Sequence, residues 1–152
     1  MSRFAYLQVA SPLHDAATVD RLTADIRTAL HDVDGTRAEN PEEHQDVPLA
    51  ILVATGGTEA TILDLVRRRH IVVPYEPVLL LAHPLHNSLP AALEALARLH
   101  MDNMRGRIVQ VDSAASEQLA TTVADMTAIH RLHTTRLGVV GVPSDWLVAS
   151  VP

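Results

Sequence analysis

The residues with the most chemical capacity fall in short polar clusters, each directly after an apolar run. The central one is Thr55-Gly56-Gly57-Thr58-Glu59, which follows Leu49 to Ala54 and opens a segment of helical spacing. This reads as strand, tight turn, helix. Backbone N–H groups lie open at such a helix start, where the peptide dipoles favour an anion or an oxygen-rich ligand. A nucleotide phosphate loop is excluded, because the Gly-Lys-Ser/Thr ending is absent and the chain has no Lys. The third glycine of a dinucleotide fingerprint is absent too. Two readings remain open: a glycine turn that caps a helix, and contact with a ligand or partner chain.

The other clusters carry histidine, hydroxyl and amide groups. His83 and His86 lie in His83-Pro84-Leu85-His86-Asn87-Ser88. Three-residue spacing serves a metal better on a helix than beside a proline, and no nearby Cys or carboxylate completes a set. Hydrogen bonding to a ligand or subunit, or a structural role, are the alternatives. His14-Asp15 could work as a base with its orienting carboxylate, but Asp15 has a simpler use as helix N-cap. Ser11, Ser88, Ser113 and Ser144 show no Gly-x-Ser-x-Gly elbow, so a serine hydrolase is unsupported. The remaining histidines (His31, His44, His70, His100, His130, His133) read mostly as surface or edge residues.

The elements that must position these clusters follow from hydrophobic spacing. Strands are expected at Phe4 to Val9, Leu49 to Ala54, Pro77 to Ala82, Arg107 to Val111 and Arg136 to Val140. Pro77 to Ala82 is apolar on both faces, so it belongs at the centre of a sheet. Helices are expected at 16–32, 58–69, 89–103 and 115–133, with Ile71 to Tyr75 as an extended link. Asp34 to Asp46, rich in acids, reads as a long surface loop. Arg67-Arg68-Arg69, at a helix end, complements the helix dipole, with phosphate binding as the alternative.

Strands alternating with helices give right-handed crossovers and a parallel sheet. The expected fold class is therefore α/β: a three-layer open parallel sheet of about five strands with helices on both faces. It is flavodoxin-like, and region 34–47 shows no run that reads as the second strand of a complete sheet. Ligands of such sheets sit beyond the carboxyl ends of the strands. Five turns should gather there: Ser11 to Asp15, Thr55 to Glu59, His83 to Ser88, Asp112 to Ser113, and Gly141 to Asp145. Together they offer hydroxyls, amides and carboxylates suited to a polyhydroxylated ligand.

Composition bounds the rest. A chain of 152 residues, 47% hydrophobic and 20% charged, fits a single α/β domain with a real core. The net charge of -6 and an aromatic content of 3% argue against nucleic acid and anionic membrane as partners. All 12 basic residues are Arg. There is no Cys, hence no disulfide, thiolate nucleophile or sulfur metal site. No apolar run approaches the ~20 residues of a membrane span, and a cytoplasmic protein is the expectation. Trp146, the only tryptophan, reads as a core anchor or as a contact to a second domain or subunit.

Three stretches carry a family resemblance: Ala54 to Glu59, His86 to Ala95, and Leu137 to Ser150. In their order and spacing they resemble the N-terminal domain of the L-fucose isomerase-like and L-arabinose isomerase-like proteins. The resemblance implies membership among ketol isomerases that interconvert an aldose and a ketose. These use a divalent metal, often manganese, and carboxylate proton transfer. It places the metal ligands in later domains, so no catalytic residue, metal ligand or cofactor is expected in this chain. Full-length members run to several hundred residues, which makes a fragment, an expressed domain or a shortened gene product the expectation here. The same resemblance implies a homo-oligomer whose N-terminal domain reaches a neighbour's sugar site. The residues expected to contact substrate or subunit are His14, Thr55, Gly56, Gly57, Thr58, Glu59, His86, Asn87, Ser88, Ser144, Asp145 and Trp146. A stand-alone small-molecule (sugar) binding domain is the second reading.

Overall fold

The computed structural model describes residues 3–112, 116–136, 138, 140 and 141. The strands are β1 (Phe4–Val9), β2 (Gly35–Arg37), β3 (Leu49–Val53), β4 (Val78–Ala82) and β5 (Gly106–Gln110). The helices are α1 (Ala16–Asp32), α2 (Glu59–Val72), α3 (Ser88–Met101) and α4 (Ser116–Thr134). All pairings are parallel, in the order β2-β1-β3-β4-β5. This is the flavodoxin-like order, in which the chain reverses direction across the sheet beside β1 and β3.

Two apolar layers explain why these runs become buried strands. On one face Phe4, Tyr6, Leu52, Leu81 and Val109 pack under Ile26 and Leu30 of α1 and Leu119, Val123 and Met126 of α4. On the other, Ile51, Val53, Leu80 and Ala82 pack under Ile62 and Val66 of α2 and Ala92, Ala95 and Leu99 of α3. Strands β3 and β4 are buried along their whole length, as central parallel strands sandwiched by helices must be.

Three expectations about secondary structure are corrected. The second strand is present: β2 lies inside the expected surface loop, with Phe4 opposite Gly35, Ala5 opposite Thr36 and Tyr6 opposite Arg37. Three residues are too few for an alternation to declare itself. A Cβ at Gly35 would sit 2.6 Å from the Leu30 carbonyl oxygen and 2.7 Å from the Phe4 ring, so a glycine lets β2 close against β1. The expected strand Arg136 to Val140 falls partly outside the described residues, at 137 and 139. Arg136, Gly138 and Val140 are exposed and lie outside the sheet. Helix α2 also runs on through Val72, so Ile71 and Val72 are helical where an extended link was expected.

The arginine run has a different role from the one its helix-end position suggests. Arg69 is buried and pairs with buried Glu76, Nε to Oε2 at 2.6 Å and a second guanidinium nitrogen to Oε1 at 3.1 Å. Its other donors reach the carbonyls of Pro41, Glu43, His44 and Val47 at 2.7 to 3.3 Å. One side chain thus holds the acidic loop against the sheet just before β3 starts. Arg68 adds a two-pronged pair to Glu42 on the half-exposed rim, at 2.8 and 2.9 Å. His130, expected at a surface, is buried beside Glu76, with Nδ1 3.5 Å from Oε1.

Removing one member of a buried ion pair strands the other charge in a low dielectric. Arg69→Met is therefore expected to lower stability in urea unfolding by ~3–5 kcal/mol. Arg68→Ala, at the solvated rim, should change it far less.

Candidate functional site

The carboxyl ends of β1, β3 and β4 are tied together by hydrogen bonds from the loops that follow them. Ala54 N donates to the Val9 carbonyl at 2.8 Å, and Ser11 N donates to Thr55 Oγ1 at 2.8 Å. Thr58 Oγ1 donates to the Thr55 carbonyl at 3.1 Å. Gly56 N donates to the His86 carbonyl at 2.8 Å, which joins the glycine turn to the β4–α3 loop. Ser88 Oγ donates to the Val53 carbonyl and accepts from His83 N at 2.8 Å. Thr55, Thr58 and Ser88 are all buried. Their hydroxyls build the floor of the site and do not face outward.

The two glycines have separate reasons. A Cβ on Gly56 would lie 2.9 Å from both Cβ and the carbonyl oxygen of Asn87, so this position is set by the close approach of two loops. Gly57 has φ +74°, which glycine adopts without strain. On the facing loop His86 and Asn87 are both left-handed, with φ 59° and 55°. Two successive left-handed residues turn the chain sharply into α3. Neither α2 nor α3 has a side-chain hydrogen bond capping its N-terminus.

Above this floor is an open cleft of about 500 Å³ whose walls include His14, Gly57, Glu59, His86, Asn87 and Glu94. Asn87, Pro90, Ala91 and Glu94 line it from one face of α3, at spacings of three, four and seven. Glu94 is thus a member that turn-by-turn reading of the sequence missed. The helical spacing from Asn87 would have found it. Two carboxylates line the cleft: Glu59 in the first turn of α2, and Glu94 two turns into α3. Their charge disfavours a phosphate or carboxylate guest, while carboxylates, an amide and imidazoles all hydrogen bond to hydroxyls.

His83 belongs to the framework. Its Nδ1 accepts from Leu85 N–H at 2.9 Å, so the proton sits on Nε2, which donates to the Leu22 carbonyl at 3.1 Å. Both nitrogens are occupied, and the buried ring links α1 to the β4–α3 loop. The His86 ring lies 5.4 Å from it, tilted by 46°. Among the described residues no group of three or more His, Asp or Glu has the geometry to hold a metal.

Asp15 caps α1, its two oxygens accepting from Thr18 N and Thr18 Oγ1, each at 2.9 Å. The backbone N–H of Thr18, and then its hydroxyl, hold the Asp15 carboxyl below its ordinary value. His14 is exposed at the cleft wall and is not oriented by Asp15, whose oxygens are turned to Thr18.

Three of the five expected turns therefore meet: Ser11 to Asp15, Thr55 to Glu59 and His83 to Ser88. Asp112 follows β5, while Ser113 lies outside the described residues. So do Ser144, Asp145 and Trp146, of which only the preceding Gly141 is described. No family model, curated protein or solved structure matches the chain. Among the described residues no helix is long and apolar enough to cross a membrane.

Two outcomes test this construction. Gly56→Ala should force the glycine turn and the Asn87 loop apart, lowering the melting temperature and shifting the amide resonances of both loops together. The Asp15 cap should act only while ionised. A carboxyl with a depressed folded pKa adds stability that is complete above the ordinary value of 3.8 and is lost as pH falls through the folded value. The melting difference between the wild type and Asp15→Ala should accordingly be full at neutral pH and vanish in strong acid.

Proposed function

We propose that this chain is the sugar-facing, non-catalytic N-terminal domain of a protein resembling the L-fucose isomerase-like and L-arabinose isomerase-like ketol isomerases. On this reading the strand-end cleft forms part of the mouth of a carbohydrate site. The divalent metal and the proton-transferring carboxylates belong to other domains, and copies of the chain assemble into a homo-oligomer.

The observation that supports this reading is the pairing of a polar cleft with an apolar rim. Glu59, Glu94, His14, His86 and Asn87 present hydroxyl-binding groups in an open cleft. Beside them Leu13 is 90% exposed and Leu85 63% exposed, although each sits in a tightly bonded turn. Large apolar side chains held in water next to a half-open polar cleft suit a site completed by a second protein surface. The second reading, a stand-alone sugar-binding domain, draws on the same cleft and needs no second surface.

Three measurements on the purified chain test the proposal, and the last two separate it from the second reading. Aldoses supplied with manganese should give no isomerase turnover, and robust turnover would sink the proposal. Sedimentation should show concentration-dependent association that Leu13→Asp and Leu85→Asp each weaken. Thermal shift against a sugar panel should show little response from the dissociated chain. A strictly monomeric chain stabilised progressively by one free sugar, by ~2.7 kcal/mol at a hundredfold excess over Kd, would favour the stand-alone reading.

A further inference from the structure

The amino-terminal edge of the sheet carries a second concave region, opposite in charge to the strand-end cleft. A recess of about 500 Å³ opens there between the segment before β4 and the segment before β5, with Tyr75, His70, His133 and Arg105 among its walls. Among the described residues the only acid in its wall, Glu76, is 6% exposed and already engaged by Arg69, Nε to Oε2 at 2.6 Å. The Arg105 guanidinium has no hydrogen-bond or ion-pair partner among the described residues. His70 Nε2 donates to the Glu76 carbonyl at 2.7 Å, which fixes that ring in the wall. The recess thus offers a free cation with no uncompensated anion beside it.

Tyr75 has φ +70°, a conformation that costs a bulky residue energy and glycine almost none. The turn is needed, because it sends the next residue, Glu76, inward to Arg69. The phenol is not needed for the turn, and with the residue 78% exposed it contributes little to burial. Its ring lies on His133, with centroids 5.8 Å apart and planes within 19°, so one face is backed. A second recess of about 340 Å³ lies beside the same two rings, with His130 in its wall. His130 is 5% exposed, and its Nε2 has no hydrogen-bond partner among the described residues. A strained aromatic platform, an unpaired cation and an unsatisfied buried nitrogen thus cluster around one pair of rings.

We infer that this edge binds a small planar aromatic anion of the nucleoside monophosphate class, its ring stacked on Tyr75 and its charged group held by Arg105. Stacking supplies area and the guanidinium supplies a charge-assisted hydrogen bond. Neither anchor is shared with the strand-end cleft, so this inference stands or falls independently of the proposed sugar site.

The probe is adenosine monophosphate, titrated into the full chain by calorimetry and followed by NMR. Saturable binding is expected, with shifts centred on Tyr75, Arg105 and His133. Adenosine alone and inorganic phosphate alone should each bind at least ~10-fold more weakly, since each keeps one anchor. Tyr75→Gly keeps the turn and removes the ring; it should melt no lower than the wild type while binding the probe ~10-fold more weakly. Tyr75→Asn, which also tolerates the left-handed turn, supplies the same test if the glycine variant does not fold. Arg105→Gln should weaken binding similarly. The inference is overturned by absent or unsaturable binding, or by shifts that map to Gly57 and His86. Equal affinity for phosphate or adenosine alone, or undiminished binding by the folded Tyr75 variants, would overturn it as well.

Discussion

Arg69 and Glu76 form the contact on which the order of the sheet's amino-terminal edge depends. Two charges taken out of water cost several kcal/mol each unless their hydrogen-bonding capacity is met. Here it is met from every side. Arg69 spends its donors on Glu76 and on carbonyls of Pro41, Glu43, His44 and Val47. Glu76 accepts in addition from Leu49 N at 3.3 Å, the first residue of β3. The pair therefore joins the end of α2, the entry to β4, the start of β3 and the acidic loop. That loop is ordered because its carbonyls satisfy a buried guanidinium, although its own sequence contains little that would bury it.

The same economy governs the opposite edge. Hydroxyls that look available for a ligand are used within the framework: Thr55 to Ser11 and Ser88 to Val53 join separate segments, while Thr58 to Thr55 and Ser88 to His83 close their own turns. What remains exposed is a second tier of groups, His14, Glu59, His86, Asn87 and Glu94, standing on a rigid floor. Rigid support is what a binding site needs, since side chains placed on mobile loops lose entropy on every encounter. Glu59 lies in the first turn of α2, so the dipole there that would otherwise favour an anion is offset locally, and Glu94 adds negative charge to the same cleft.

The two edges consequently differ in chemistry. The carboxyl edge has two acids lining its cleft and suits neutral hydroxyl groups. At the recess on the amino edge the one acid among the described wall residues is buried with Arg69, leaving Arg105 and aromatic rings at the surface. A parallel sheet makes such a division possible, because every strand enters at one edge and leaves at the other.

Much of the architecture was legible in the sequence. Runs such as Leu49 to Val53 and Val78 to Ala82, apolar on both faces and separated by amphipathic helices, leave a parallel sandwich as the economical way to bury them. The Asp15 cap was legible because capping is local, set by residues three apart. Strand β2 was hidden because three residues show no period and their place depends on Phe4, thirty-one positions away. Glu94 was hidden behind a turn-based reading, although its spacing from Asn87 was available. The tertiary structure alone decided which hydroxyls are structural, that Arg69 turns inward while Arg68 meets Glu42 at the rim, and that His130 is buried. Hydrophobic spacing is a property of neighbours along the chain. The partner of a buried charge or hydroxyl comes from a distant segment, and becomes defined only when the sheet brings the two together.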